Sequence, residues 1–421
     1  MYKLKKLSSG LKILSVPMKN TGAFTLLVLV GTGSKYETKK INGISHFLEH
    51  MFFKGTADRP SPGQVHRELD SVGAQHNAFT SKEITGYWVK AAKENFDIGL
   101  DIVSDILTKP LLSEEEIEKE KGVVIQEIRM RNDDPMSRVG YIFEKLLWGD
   151  QPAGWEIAGD EATIMTFRQK DFLEYFSSQY VAKNSVVVIA GNYPFGAEKK
   201  IERAFASLKK GSPNCMGNIK EIQASLGIAS EKKENEAANL ILGFKGFDMY
   251  SPKRHALDML GVILGGNSSS RLVFEVREKL GLAYYIGAGS TLYTDSGYFE
   301  IFAGVPHDKV EKVLEVVIGE IKKIKNDGVT KEELKKAGDF LRGTAKISLE
   351  NSSSLASFFA EQIIFKKPIL TPEANLKKLE KVTAGEIKKI ANEIFTSARA
   401  NLALVGAEQD RERLTKLLNK V

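Results

Sequence analysis

The sequence predicts an α+β protein made of two homologous α/β-sandwich repeats, each a mostly antiparallel sheet flanked by helices. The first observation is an internal repeat. A helical stretch from Asp171-Phe172-Leu173 to Tyr180 leads into Ser185-Val186-Val187-Val188-Ile189-Ala190-Gly191, and 215 positions later Glu386-Ile387 to Phe395 leads into Ala400-Asn401-Leu402-Ala403-Leu404-Val405-Gly406. The second is that strand patterns return as hairpins beside runs of helix, which argues against a doubly wound parallel sheet. The third is length: 421 residues exceed what one core organises and suit two domains of about 200 residues each.

Taken in order, Leu11 to Val16 and Phe24 to Val30 read as strands, the second ending at Gly31-Thr32-Gly33-Ser34. A helix follows around His46, and another runs from Gln64 to Ser71 after the Pro60-Ser61-Pro62-Gly63 break. Gly73 to Thr80 alternates as a strand, and Ile84 to Ala91 returns as its hairpin partner. A helix is expected over Glu94 to Leu107. The next is long, with Ser113 as its cap and Glu114, Glu115 and Glu116 in a first turn that favours anionic side chains. Asp133-Asp134-Pro135 ends it, before helices at Met136 to Trp148 and Arg168 to Ser178. In the second copy Thr330 before Lys331-Glu332-Glu333 repeats the capped start. The expected boundaries are a first repeat over 1–210, a linker over 211–235 and a second repeat over 236–421.

His46-Phe47-Leu48-Glu49-His50 is the stretch that carries chemistry. Residues four apart share a helix face, so His46 and His50 point the same way, a spacing suited to one metal ion, zinc above all. Glu49 sits directly before His50, where its carboxylate reaches the same neighbourhood. Two imidazoles plus a carboxylate beside an activated water are the minimum for hydrolysing an amide. The order is the inverse of the zincin His-Glu-x-x-His. Phe47, Leu48, Met51, Phe52 and Phe53 make the helix apolar nearly all round, so it should be buried, and buried imidazoles need polar partners. A catalytic zinc site takes a third protein ligand, and spacing leaves Glu68, Asp70, Glu83, Glu94, Glu120, Glu127, His66 and His76 all open. The stretch Ala256 to Gly261, at the matching place in the second copy, has no such motif, so only the first repeat can hold the metal.

Composition narrows the alternatives. A net charge of +6, scattered among 60 basic and 54 acidic residues, gives no concentrated basic surface, so no nucleic-acid partner is expected. Cys215 is the only cysteine, which excludes an internal disulfide and a thiolate zinc cluster. No run approaches 18 apolar residues, and Met1-Tyr2-Lys3-Leu4-Lys5-Lys6-Leu7 is not followed by an apolar leader core. The expectation is a cytoplasmic protein without a membrane association.

The run His46 to Thr56, with Asn77-Ala78-Phe79-Thr80-Ser81-Lys82-Glu83 and Glu120-Lys121-Gly122-Val123-Val124-Ile125-Gln126-Glu127, closely resembles the pitrilysin family of zinc metallopeptidases across essentially the whole chain. That family includes insulin-degrading enzyme and the mitochondrial processing peptidase. The resemblance implies a zinc endopeptidase with one zinc per chain, in which Glu127, 77 residues after His50, is the third ligand. It implies that Glu120 acts behind the ligands, orienting one of them or the metal helix, and that Glu49 takes a proton from the attacking water and passes it to the leaving amine. Ser270 to Tyr284 resembles the family's arginine–tyrosine pair, giving Arg277 and Tyr284 as donors to a substrate carbonyl or oxyanion. Arg271 competes for the first role, and Leu280 stands where relatives commonly carry a polar or basic residue. Asn77, Ala78 and Phe79 resemble the edge strand on which a peptide adds as a further strand. Longer relatives enclose a chamber with four such units, so this chain is expected to form a homodimer, or a heterodimer with a paralogue, that admits unfolded peptides or short polypeptides. A non-catalytic partner, or a structural core subunit of a respiratory-type complex, is the competing class. Inactive partners lose the metal motif or the Arg–Tyr pair, and this sequence keeps both.

Overall fold

In the computed structural model, which describes every residue except 1, 221, 222 and 224, the chain divides into two compact units. The first comprises 1–128, 155–217 and 346–370, and the second comprises 129–154, 218–345 and 371–421.

The first unit has a six-stranded sheet from β1 (Lys3–Lys6), β2 (Lys12–Pro17), β3 (Ala23–Val30), β4 (Gln75–Thr80), β5 (Thr85–Ala92) and β6 (Ser185–Gly191), in the order β1-β2-β6-β3-β5-β4. Every pairing is antiparallel except β2 with β6. Side chains alternate between faces with a period of two. Phe24, Leu26 and Val28 of β3 therefore enter one core, and Leu27 and Leu29 enter another. β6 reads as an unbroken apolar run because both of its faces are covered, and all seven of its residues are buried. Helices α1 (Ile44–Met51), α2 (Gln64–Ser71), α3 (Phe96–Thr108) and the start of α4 (Glu114–Asp133) belong to this unit. The larger core includes Ile44, Phe47, Leu48 and Met51 of α1 beside Ile102, Val103 and Ile106 of α3. Each large apolar side chain buried there contributes about 1.5–3 kcal/mol. The opposite face is covered by the helix Ser352–Ile364, through Leu355, Ala356 and Phe359.

The second unit repeats the plan with β7 (Gly227–Lys232), β8 (Ala238–Lys245), β9 (Tyr285–Leu292), β10 (Gly297–Val305) and β11 (Ala400–Gly406), ordered β7-β11-β8-β10-β9. Among the described residues β7 with β11 is its only parallel pairing, as β2 with β6 is in the first unit. Its main core gathers Leu242, Phe244, Leu260, Ile301 and Val313, and α5 (Pro135–Trp148) covers the other face with Phe143, Leu147 and Trp148.

The α+β repeat architecture follows the sequence reading closely, while the contiguous boundaries differ from the observed units in two segments. α5 lies in the first repeat by sequence yet buries Phe143 against the sheet of the second unit, and the helix Ser352–Ile364 does the converse. Each sheet needs an apolar cover on both faces, and periodicity does not say which sheet a helix covers. Of the expected linker 211–235, residues 227–232 form β7, and residues 221, 222 and 224 lie outside the described residues.

Candidate metal centre

Gly43 is the residue that precedes α1, its φ of +99° suits glycine, and a Cβ there would lie 2.5 Å from Ala158 O. Glycine has no side chain with which to cap the helix. Glu37 supplies the cap from outside. Its carboxylate accepts from Ser45 N (2.8 Å), Gly43 N (2.8 Å) and Asn42 Nδ2 (2.9 Å) and is 4% exposed. Burial pushes its pKa up to about 7, against the pull of those hydrogen bonds. Ser45 Oγ and Tyr175 OH lie 2.6 Å apart, a second tie on the same turn.

With α1 fixed at its start, His46 is buried and His50 partly so. Glu127 comes from α4, two turns beyond Glu120. Its Oε2 is 3.4 Å from His46 Nε2 and 3.6 Å from His50 Nε2, and one ligand atom from each of the three residues lies within 4.8 Å of the others. Zinc at about 2.0–2.1 Å from tetrahedral ligands holds its donors about 3.3 Å apart, so this donor set fits that ion. No other such group of three occurs among the described residues.

His50 turns its other nitrogen, Nδ1, to Glu120 Oε1 at 3.0 Å. Burial lowers the His50 pKa, but the Glu120 hydrogen bond and the charges of Glu127, Glu120 and Glu49 outweigh it, and the net shift is upward. Burial raises Glu120, and His50 and Lys54 together bring it below its ordinary value. Glu49 receives a hydrogen bond on Oε2 from Thr80 Oγ1, at the end of β4.

Other candidates are engaged elsewhere. Glu68 pairs with Arg59 (2.8 Å) and Glu83 with Lys35 (2.7 Å). His66 Nδ1 meets His76 Nε2 at 2.7 Å. Asn77, Ala78 and Phe79 lie on β4, the sheet edge, with Asn77 and Phe79 exposed. In the second unit Arg271 is held by Glu333 through Nε (2.6 Å) and Nη2 (2.8 Å), which leaves Arg277 as the exposed guanidinium of the segment, beside Glu278 at 3.8 Å. Arg277 belongs to a π-helical stretch, Val273–Lys279, and Tyr284 is 62% exposed.

Sequence reasoning missed Glu37, Thr80 and Lys54. An uncapped glycine start signals the need for a cap such as Glu37, whereas Lys54 lies beyond the end of α1, where helical spacing names no partner for it. Thr80 had no signal beyond its place in the edge strand.

Fold and donor set define a two-unit chain in which, among the described residues, one group of three side chains, His46, His50 and Glu127 of the first unit, could hold a metal ion. The insulinase domain of peptidase family M16 matches residues 12–161, and the inactive domain of the same family matches residues 166–339. The chain is 33% identical over 406 residues to an uncharacterized zinc protease, YmxG, of Bacillus subtilis (strain 168), covering 96% of this chain and 98% of that protein. It is 35% identical over 407 residues to an uncharacterized zinc protease of Rickettsia bellii (strain RML369-C), covering 96% and 97%. A solved structure of a protease from Helicobacter pylori superposes with a TM-score of 0.90 at 26% identity, covering 96% of this chain and 99% of that one. The chain therefore belongs to peptidase family M16, and its homologues are zinc proteases. No helix among the described residues is long and apolar enough to cross a membrane.

Proposed function

We propose that this chain is a zinc-dependent endopeptidase that hydrolyses unfolded peptides or short polypeptides, with one zinc per chain held by His46, His50 and Glu127. The observation that carries this reading is the approach of Glu127 Oε2 to both imidazoles at 3.4 and 3.6 Å, with the Glu49 carboxylate beside them. Zinc bound there supplies Lewis-acid polarisation of the scissile carbonyl and lowers the pKa of a water. Glu49 accepts the proton of the attacking water and later delivers it to the departing amine. The Thr80 hydroxyl keeps Glu49 oriented for this, and Glu120 keeps the His50 Nδ1–H occupied so that Nε2 presents its lone pair. Backbone groups of β4 around Asn77, Ala78 and Phe79 receive the peptide as an added strand, which suits an extended substrate and not a folded one.

By the family resemblance, Arg277 and Tyr284 donate hydrogen bonds to the substrate carbonyl and the oxyanion, and two chains assemble as a dimer around an enclosed chamber. A cytoplasmic location accords with a single cysteine and with the absence, among the described residues, of a membrane-crossing helix. The test is metal removal. Chelation should abolish cleavage of an unstructured fluorogenic peptide, and one equivalent of zinc should restore it. Full cleavage by protein shown to be metal-free would refute the reading.

A further inference from the structure

We propose that Lys54 is a positioning residue of the metal centre, fixing through Glu120 the orientation of His50. The inference rests on the zinc-site reading and adds to it a residue that touches neither the metal ligands' donor atoms nor substrate.

Lys54 follows the end of α1, in a tight turn where Phe53 N donates to His50 O (3.1 Å) and Lys54 N to Met51 O (3.1 Å). The turn brings the Lys54 ammonium to the same carboxylate that His50 meets. Glu120 of α4 meets both at once. Its Oε1 is 3.0 Å from His50 Nδ1, and its Oε2 is 2.6 Å from Lys54 Nζ. A carboxylate is planar, so contacts on both oxygens fix the direction of its plane. Held only through Oε1, the group would be free to swing about that single hydrogen bond.

The electrostatics favour the same arrangement. Glu49, Glu120 and Glu127 all act on His50, and Glu120 is 4% exposed. A carboxylate that far from water needs a compensating cation, and Lys54 supplies it from a partly exposed position. The clamp also joins α1, which carries His46 and His50, to α4, which carries Glu127 seven residues beyond Glu120. Lys54 therefore bears on how the two histidines stand relative to the third ligand.

The test compares zinc affinities of the full chain by competition with a chromophoric chelator. Lys54→Met should weaken binding about ten- to a hundredfold, the range typical for groups that orient a metal-ligating histidine. Lys54→Arg, which keeps the cation, should recover most of that loss. In a Glu120→Gln background, Lys54→Met should cost less than about twofold further, because its route of action is already removed. Lys54→Gln serves if the methionine variant does not fold, with the thermal midpoint of the zinc-free chain as the folding check. Wild-type affinity in Lys54→Met or Lys54→Gln overturns the proposal, and so does an equal loss in both backgrounds. His50→Ala keeps the two readings apart: undiminished zinc binding in that variant contradicts the metal centre itself, whatever Lys54 does.

Discussion

Replacing Glu37 by alanine should loosen the metal helix without touching a metal ligand. Its carboxylate occupies three donors, the backbone N–H groups of Gly43 and Ser45 and the side-chain amide of Asn42, at 2.8–2.9 Å. A buried donor left without a partner costs about 1–3 kcal/mol. Water entering the vacated space would satisfy part of that demand, so the loss should be about 3–5 kcal/mol. α1 has only eight residues, too few to hold together without its cap and its packing. Amide hydrogen exchange on the zinc-free chain reads the effect locally. Protection of the α1 amides should fall by about a hundredfold or more. Zinc affinity should fall as well, because binding must then pay for ordering the helix. Protection within about threefold of wild type in Glu37→Ala would show that the cap is dispensable and refute the reasoning.

Two further outcomes concern the second unit. Burial, with the Glu144 carboxylate near it, raises the pKa of Glu300 to about 7, above its ordinary value of 4.5. Between those values the folded chain binds more protons than the unfolded one, so this group's contribution to stability is full below about 4.5 and is lost as pH rises towards 7. Glu300→Gln should accordingly lose less stability than wild type between about pH 5 and about pH 8, as read from urea midpoints, and equal losses would contradict the assignment. The dimer proposal predicts that Arg277 and Tyr284 serve the metal centre of the partner subunit. Glu49→Gln and Tyr284→Phe proteins, each impaired, should regain roughly a quarter of wild-type activity when mixed under subunit exchange. Verified heterodimers without recovery would place the pair in its own chain's site or outside catalysis.

Much of this architecture was legible in the residues. The apolar run Phe24 to Val30, the alternation in Gly73 to Thr80, the Ser113 cap before three glutamates, and Pro135 after Asp134 are local signals, and the local structure follows them. The two histidines were legible for the same reason, since four-residue spacing fixes a shared helix face. Glu127 was not legible from spacing, because 77 residues of intervening chain leave its approach to His50 to tertiary packing. Family resemblance named it, and in the folded chain its Oε2 lies 3.6 Å from His50 Nε2. The exchanged helices were hidden too. Phe143 and Trp148 announce a buried face, but nothing in their spacing names the sheet that buries it. Glu37 and Lys54 act through contacts between segments that only the folded chain brings together.

The central claim is that Glu49 performs chemistry while His46, His50 and Glu127 hold the zinc, and these roles separate in Glu49→Gln. Its amide is nearly isosteric with the carboxylate and can still accept the Thr80 hydrogen bond, so the site should keep its shape. Zinc content and cleavage of one unstructured peptide should be measured on the same preparation. One zinc per chain is expected, with kcat reduced about a hundredfold or more. A zinc-replete Glu49→Gln protein that turns over peptide at the wild-type rate would contradict it.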